Sequence, residues 1–303
     1  MRTLRNTLPR RLVIRSLTVL LTLCAAALGV RAHADSEHHT LWQIQGKHNV
    51  VYLLGSIHVL RDADYPLPPA LLDAYSKSKS VVMEIDLSEM ESQNVQQEML
   101  AAATLPEGKT LQSILGPSRY GKATALAGEV GVELSTFDQF APWFVAEAVS
   151  QMQLMQLGFA PTAGVEMYFM ERARTDGKSM SGLETAHDQI ALFESMSDER
   201  QAEYLLSSLK EAKSLPKQVD AMVSAWRRGD TAWFANQLEH EFEGDPQLYQ
   251  SLLAARNRKW IPKIEALLND DRNYLVIVGA GHLSGKDSVI DLLKRDGIDA
   301  QQR

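Results

Sequence analysis

The chain has 303 residues, with 31 lysines and arginines against 38 aspartates and glutamates, and its formal net charge is −7. This balance argues against nucleic acid or an anionic membrane surface as a partner, because both are bound through basic patches. No nucleic-acid partner is therefore expected.

Residues 1–34 have the layout of a secretory signal peptide. A segment with arginines and no acidic residues comes first, an apolar run of about 15 residues follows, and "AHA" at 32–34 supplies a cleavage site. That run is shorter than the roughly 20 apolar residues that a transmembrane helix needs. The alternative to a cleaved signal peptide is an uncleaved membrane anchor. We expect cleavage after Ala34, a periplasmic or secreted protein, and no stable membrane span after cleavage.

The predicted mature chain, residues 35–303, has 269 residues, enough for one large domain. Loss of six of the 31 basic residues and none of the 38 acidic ones brings its formal charge to −13. It also loses Cys24, the only cysteine. Disulfides, zinc–thiolate sites and a cysteine nucleophile are therefore excluded from the mature chain.

The first elements of the mature chain predict a hairpin followed by a βαβ unit. "LWQIQ" (41–45) and "NVVYLLGSI" (49–57) are typical of strands around a "GKH" turn. A helix over 68–78 follows, with prolines at its start, and then a β-branched strand within 79–87. Strand, helix and strand in this order predict that the second and third strands are parallel.

The middle of the chain, about 88–272, has helical spacing in nearly every apolar segment, with one predicted strand at 178–184. Met152 and Met155 are expected in the core of this part. "NYLVIVGAGH" (273–282) returns to strand, and 287–297 predicts a closing helix. The fold class is α/β (α+β): a small, mostly parallel sheet assembled from both ends of the chain, with a large helical insertion.

Two apolar strands end in the same pattern, Gly-x-x-His: Gly55 to His58 and Gly279 to His282. Glu84 lies near the end of the strand between them in sequence. Ligands of open α/β sheets gather beyond the carboxyl ends of the strands. If these strands are neighbours, the two imidazoles and the carboxylate meet at one place.

Two imidazoles and a carboxylate suit a divalent metal with open coordination positions. They also suit catalysis without metal, in which one histidine is a general base oriented by the carboxylate. The plain alternative is that each histidine is a satisfied core or capping residue. The matched context of His58 and His282, together with Glu84, favours a site.

Weaker candidates follow in the helical part. Glu184 ends the predicted strand at 178–184, and it could instead be an N-terminal helix carboxylate. His187 is interpreted as a surface histidine. Arg256, beside Asn257, could clamp a carboxylate or stabilise an oxyanion; the alternative is a surface ion pair.

The motifs "LLGSIHVL", "VVMEID", "GVEMYF", "SGLET", "ARNRKW" and "VGAGHLSG", in this order over about 40–290, resemble the TraB/GumN family. That family is similar to the Tiki metalloproteases and, more distantly, to erythromycin esterases. The resemblance implies a metal hydrolase that uses manganese or cobalt ahead of zinc. It also implies a set of site residues: Gly55, His58, Glu84, Glu184, Arg256, Asn257, Gly279 and His282. Relatives have Gly-Ile-Asp where this chain has "GVE", so Glu166 stands at the aspartate position with one more methylene.

Three functions are therefore expected in order. The first is an exported metal-dependent hydrolase of a peptide or small-molecule substrate, with a peptidase as the form that the resemblance implies. Its metal ligands or base would be His58, Glu84 and His282, with Glu184 as a further acid and Arg256 as a substrate clamp. The second is a metal-free, esterase-like hydrolase that uses His58 or His282 as base. The third is a non-catalytic haem- or metal-binding protein whose histidines ligate iron.

Overall fold

The computed structural model describes residues 38–303. The predicted signal peptide and its cleavage site after Ala34 lie outside the described residues. Every helix within 38–303 is too short or too polar to span a bilayer.

One mixed sheet of six strands forms the centre of the fold. The strands are β1 (Leu41–Gln45), β2 (Val50–Ser56), β3 (Ser80–Met83), β4 (Ser179–Gly182), β5 (Tyr274–Gly279) and β6 (Gln301–Gln302). Their spatial order is β4–β3–β5–β2–β1–β6. β2 and β3 both run parallel to β5, and β4 runs parallel to β3, whereas β1 and β6 are antiparallel additions at one side.

This sheet confirms the predicted fold class. β1 and β2 form the expected hairpin, in which Gln45 pairs with Val50. β2 and β3 are parallel as predicted, and β5, from the other end of the chain, lies between them. β6 was not predicted, because a two-residue strand is too short to show a period of two.

The chain forms twelve α-helices within residues 38–303. They are α1 (Pro69–Lys77), α2 (Gln93–Ala103), α3 (Leu111–Glu129), α4 (Pro142–Gln156), α5 (Val165–Asp176), α6 (Ala186–Glu194), α7 (Asp198–Ala212), α8 (Leu215–Arg227), α9 (Thr231–Glu241), α10 (Pro246–Tyr249), α11 (Ala255–Leu268) and α12 (Val289–Arg295). α2 to α11 lie between β3 and β5 in the chain, as the predicted insertion does, and β4 lies within it.

Both faces of the sheet are covered, as the continuous apolar strands require. Successive side chains of a strand point to opposite faces, so Leu54 and Val81 pack with α1, α5 and α8. Leu53 and Val82 pack on the other side with α11 and α12. A separate core joins α3, α4 and α7. The parallel strands are thereby fixed with their carboxyl ends at a common edge.

The prediction that Met152 and Met155 belong to the core is wrong. Their side chains are 38% and 58% exposed. Val149 is the last buried residue of α4, so the final turns of that helix extend beyond the core it shares with α3 and α7.

Candidate active site

The predicted site residues gather at the carboxyl ends of β2, β3 and β5. Ser56 at the end of β2 pairs with Gly279 at the end of β5, and Glu84 directly follows β3. A Cβ atom placed on Gly279 would lie 3.4 Å from Glu84 Oε1, 3.6 Å from His282 Cδ2 and 3.8 Å from His58 Nε2. Three side chains from three strand ends therefore surround one backbone position that carries no side chain.

Glu84 is fixed by hydrogen bonds to both of its carboxylate oxygens. Oε1 accepts the backbone N–H of Gly279 at 2.7 Å, and Oε2 accepts Arg256 Nη2–H at 2.6 Å. Burial alone would raise the pKa of Glu84. Its interactions with His282 and Arg256 outweigh burial and lower that pKa to about 2. Glu84 is therefore ionised at neutral pH.

Arg256 lies between two acidic residues of the chain itself. Besides Glu84, its guanidinium contacts Glu184, with Nε 3.0 Å and Nη2 2.5 Å from Oε1. The guanidinium also stacks over the Trp260 ring, 4.9 Å from its centroid. The Arg256 side chain is only 11% exposed, so the alternative of a surface ion pair is wrong. Its first role here is to balance two buried carboxylates.

His282 is held in one tautomer by Asn257. Asn257 Nδ2–H donates to the Asp287 carbonyl at 2.9 Å, which leaves its Oδ1 to accept His282 Nδ1–H at 2.5 Å. His282 Nε2 then carries the lone pair, 3.1 Å from Arg256 Nη1 and 3.7 Å from Glu84 Oε1. Burial, with Arg256 nearby, lowers the pKa of His282 to about 4. The ring is neutral at pH 7, and its Nε2 can accept a proton or a metal ion.

His58 is in the opposite electrostatic state. Its Nδ1 lies 2.7 Å from Glu166 Oε1, while its side chain remains 70% exposed. The negative charge of Glu166 raises the pKa of His58 to about 9. His58 is therefore an imidazolium at neutral pH. The two histidines of the Gly-x-x-His motifs thus carry different charges within one site.

Glu166 reaches His58 from the first turn of α5. The Ser56 hydroxyl also donates to Glu166 Oε1. Burial would raise the pKa of Glu166, but His58 outweighs it and the pKa falls. A Cβ on Gly164 would lie 2.2 Å from the His58 carbonyl oxygen, so only glycine lets α5 begin this close. The longer carboxylate at the aspartate position therefore pairs with a site histidine.

Two further residues take part that the sequence did not single out. Gln189 Nε2–H donates to Glu184 Oε1 at 2.9 Å and approaches Glu84 Oε2 at 3.3 Å. It follows the Thr185–Asp188 capping box that starts α6, which is a signal the sequence contains. Ser56 is the second, through Glu166. His187, by contrast, pairs with Glu98 and its side chain is largely exposed, which agrees with its interpretation as a surface histidine.

A cleft of about 520 Å³ opens above these residues. His58, Glu84, Arg256 and Gly279 to His282 form its floor. Side chains of α4, α8 and α9 supply most of the remaining lining, which we call the wall, and most of them are apolar. The reacting atoms would therefore meet a substrate between a charged floor and an apolar wall.

Imidazole nitrogens and carboxylate oxygens are ligands that divalent metal ions accept, and two of these atoms also have a suitable separation. His282 Nε2 and Glu84 Oε1 are 3.7 Å apart, close to the separation of two ligands that each lie about 2.1 Å from one ion. Asn257 holds the other ring nitrogen of His282, as metal-binding histidines require. Among residues 38–303, however, no three His, Cys, Asp or Glu side chains form a ready cluster for an ion. In its present position, His58 does not join His282 and Glu84 as a third ligand.

Comparison with known proteins agrees with the resemblance found in the sequence. The model of the TraB/PrgY/gumN family matches residues 40–302. "Uncharacterized protein YbaP" of Escherichia coli (strain K12) is 25% identical over 243 residues, which cover 80% of this chain and 87% of YbaP. "Metalloprotease TIKI2" of Danio rerio is 22% identical over 82% of this chain and 58% of its own length. "Metalloprotease TIKI1" of Homo sapiens is 20% identical over 95% of this chain and 68% of its own length. No solved structure matches.

Proposed function

The chain belongs to the TraB/PrgY/gumN family, and on that premise we propose that it is an exported hydrolase that cleaves peptides with the help of a divalent metal ion. The distant likeness to proteins named metalloproteases supports the reaction class. One observation carries the proposal. His282 Nε2 carries a lone pair that can bind a metal ion, its ring is held by Asn257, and it lies 3.7 Å from Glu84 Oε1 at the floor of a cleft.

Glu84 and His282 would hold the ion, with manganese or cobalt expected ahead of zinc. The ion would supply Lewis acidity and a nucleophile at neutral pH. Arg256 keeps Glu84 ionised and, through Glu184, keeps the floor rigid. Glu184 therefore acts through Arg256, because the guanidinium covers its carboxylate.

His58 has the charge of a general acid. Its imidazolium is stabilised by Glu166, and its Nε2 faces Gly279 beside the other site residues. A proton on Nε2 can pass to the leaving amine of a peptide, after which Glu166 holds the neutral ring in place. Holding an ion as the third ligand would require Nε2 to lose that proton first. We therefore assign His58 to proton transfer.

A metal-free hydrolase is the second candidate, and the position of Arg256 favours it. Nη1 lies 3.1 Å from His282 Nε2 and Nη2 lies 2.6 Å from Glu84 Oε2, so a guanidinium already contacts both proposed ligands. In that case His282 would act as the base and His58 as the acid. Haem binding is not proposed, since His282 Nε2 is directed at charged side chains.

The test is metal content and peptide hydrolysis of the purified chain after chelation and reloading with manganese, cobalt or zinc. We expect near-stoichiometric metal in the wild type and in His187→Ala, the control variant, because His187 is exposed and does not line the cleft. His282→Ala should lose both metal and hydrolysis. His58→Ala should keep the metal and lose hydrolysis.

Each other outcome has a defined meaning. Loss of metal from His58→Ala would make His58 the third ligand and overturn its role as acid. Absence of metal from the wild type, with hydrolysis that chelator does not affect, would favour the metal-free candidate. Metal without hydrolysis of any member of a mixed peptide library would refute the peptidase.

A further inference from the structure

The wall of the cleft, formed by side chains of α4, α8 and α9, has a composition of its own. Seven apolar side chains form most of it: Leu154, Leu215, Val219, Met222, Trp233, Phe234 and Leu238. The cleft volume of about 520 Å³ lies within the range of about 300–1,000 Å³ that is usual for ligand sites. The one ionisable side chain that these helices contribute to the lining, Glu241, is acidic, so a carboxylate placed against this wall would lose its water and gain no cationic partner there.

This wall lies next to the proposed reacting residues. A Cβ atom on Gly281 would lie 3.4 Å from Leu238 Cδ2, and Gly281 directly precedes His282. Leu238 of α9 therefore lies within ordinary contact distance of the backbone that leads into His282. An apolar group of a substrate that packs on Leu238 is therefore adjacent to the bond that His282 would help to break.

The lining of the cleft also includes a polar group that suits a peptide. Gln237 lines the cleft beside Leu238, and its side-chain amide forms no hydrogen bond with any residue in 38–303. A free primary amide can donate and accept at once, which matches the N–H and C=O of a peptide bond. An acyl chain offers neither group. This favours a peptide over a lipid as the occupant.

We propose that this wall is a specificity subsite for an uncharged apolar side chain of a peptide substrate, next to the hydrolysed bond, with Met222 and Leu238 setting the preference. This inference rests on the proposed function, because only a hydrolase would make the bound peptide a substrate. Met222 is unbranched and adapts to ligands of different shape, so both leucine and phenylalanine should be accepted. Glycine or glutamate at the same position should bind roughly tenfold or more weakly.

The test is a titration of the protein with acetyl-Ala-X-Ala-amide, X being Leu, Phe, Gly or Glu, followed through ¹³C-methyl methionine resonances. The His58→Ala variant is used, because its missing side chain is exposed and it should not cleave the peptide. The Leu and Phe peptides should shift the Met222 resonance, whereas exposed Met155 should not respond. Met222→Gln should reduce the preference for Leu over Gly at least several-fold, and Leu100→Gln, which changes an exposed leucine outside the cleft, should leave it unchanged.

Equal affinity for the Leu, Gly and Glu peptides would overturn the subsite. So would an unchanged preference in Met222→Gln, or binding of octanoylamide without binding of any peptide. Preferential binding of the Leu and Phe peptides, with no hydrolysis of them by the wild type under any metal, would refute the proposed function and leave the subsite standing. The two failures are therefore distinguishable.

Discussion

Arg256 Nη2 lies 2.6 Å from Glu84 Oε2, and this contact joins the start of α11 to the end of β3. The same nitrogen lies 2.5 Å from Glu184 Oε1, so one buried cation serves two buried carboxylates. Removing charges from water is costly, and the cost is recovered only while each charge keeps its partners. The floor of the site is therefore one electrostatic unit.

Arg256→Met keeps the bulk of the side chain and removes the charge. It should lower the free energy of unfolding by about 3–5 kcal/mol, because Glu84 and Glu184 lose their buried counter-ion. Urea denaturation measures this. Arg119→Met is the control, since Arg119 pairs with Glu199 on the exposed surface, and it should cost less than about 1 kcal/mol. If Arg256→Met and Arg119→Met lost equal free energy of unfolding, Arg256, Glu84 and Glu184 would not form one electrostatic unit.

Glu166→Gln should change the charge state of His58. The carboxylate of Glu166 is the main reason for the raised pKa of His58, so the pKa should fall from about 9 toward 6.5. Titration of the histidine ring by NMR measures it directly. Glu98→Gln is the matched control: it should lower the pKa of exposed His187 and leave that of His58 near 9. An unchanged pKa for His58 in Glu166→Gln would contradict the pairing.

Much of the sheet and the gathering of the histidines could be predicted from local pattern. Continuous apolar runs that end in Gly-x-x-His placed His58 and His282 at the carboxyl ends of buried strands. The neighbouring position of those strands was the one assumption, and β5 between β2 and β3 fulfils it.

What the sequence could not determine depends on how distant helices pack. "GVE" shows a carboxylate at 166, but its partner is known only once α5 lies against β2. Arg256 has the same helical context whether it is buried or exposed, and the burial of α11 against the sheet decides it. Met152 and Met155 continue an apolar pattern past the point where neighbouring helices cover α4.

His282 should make the metal-free protein sensitive to mild acid. Its pKa is about 4 in the folded state and 6.5 ordinarily, so below 6.5 the unfolded chain takes up a proton that the folded ring does not. Stability is therefore lost as pH falls from 6.5 toward 4. Between pH 7 and 5 in chelator, the wild type should lose about 2 kcal/mol more than His282→Gln, measured by urea denaturation. Parallel curves for the two proteins would contradict a buried neutral imidazole.

Gly279→Ala should separate folding from function. Gly279 has φ −51° and ψ 139°, which alanine adopts without strain, and its Cβ would meet neighbours at ordinary contact distances of 3.4 to 3.8 Å. Stability should therefore change by less than about 1 kcal/mol. The added methyl would nevertheless occupy the space shared by Glu84, His58 and His282.

Metal content and peptide hydrolysis should consequently fall at least tenfold in Gly279→Ala while its urea midpoint is nearly kept. Gly121→Ala is the control, because Gly121 lies in α3 with open space around its Cβ position. It should gain about 0.5–1 kcal/mol of stability and keep full activity. Wild-type metal content and turnover in Gly279→Ala would show that the three side chains do not act on one shared point, and the site would then have to be sought elsewhere along the cleft.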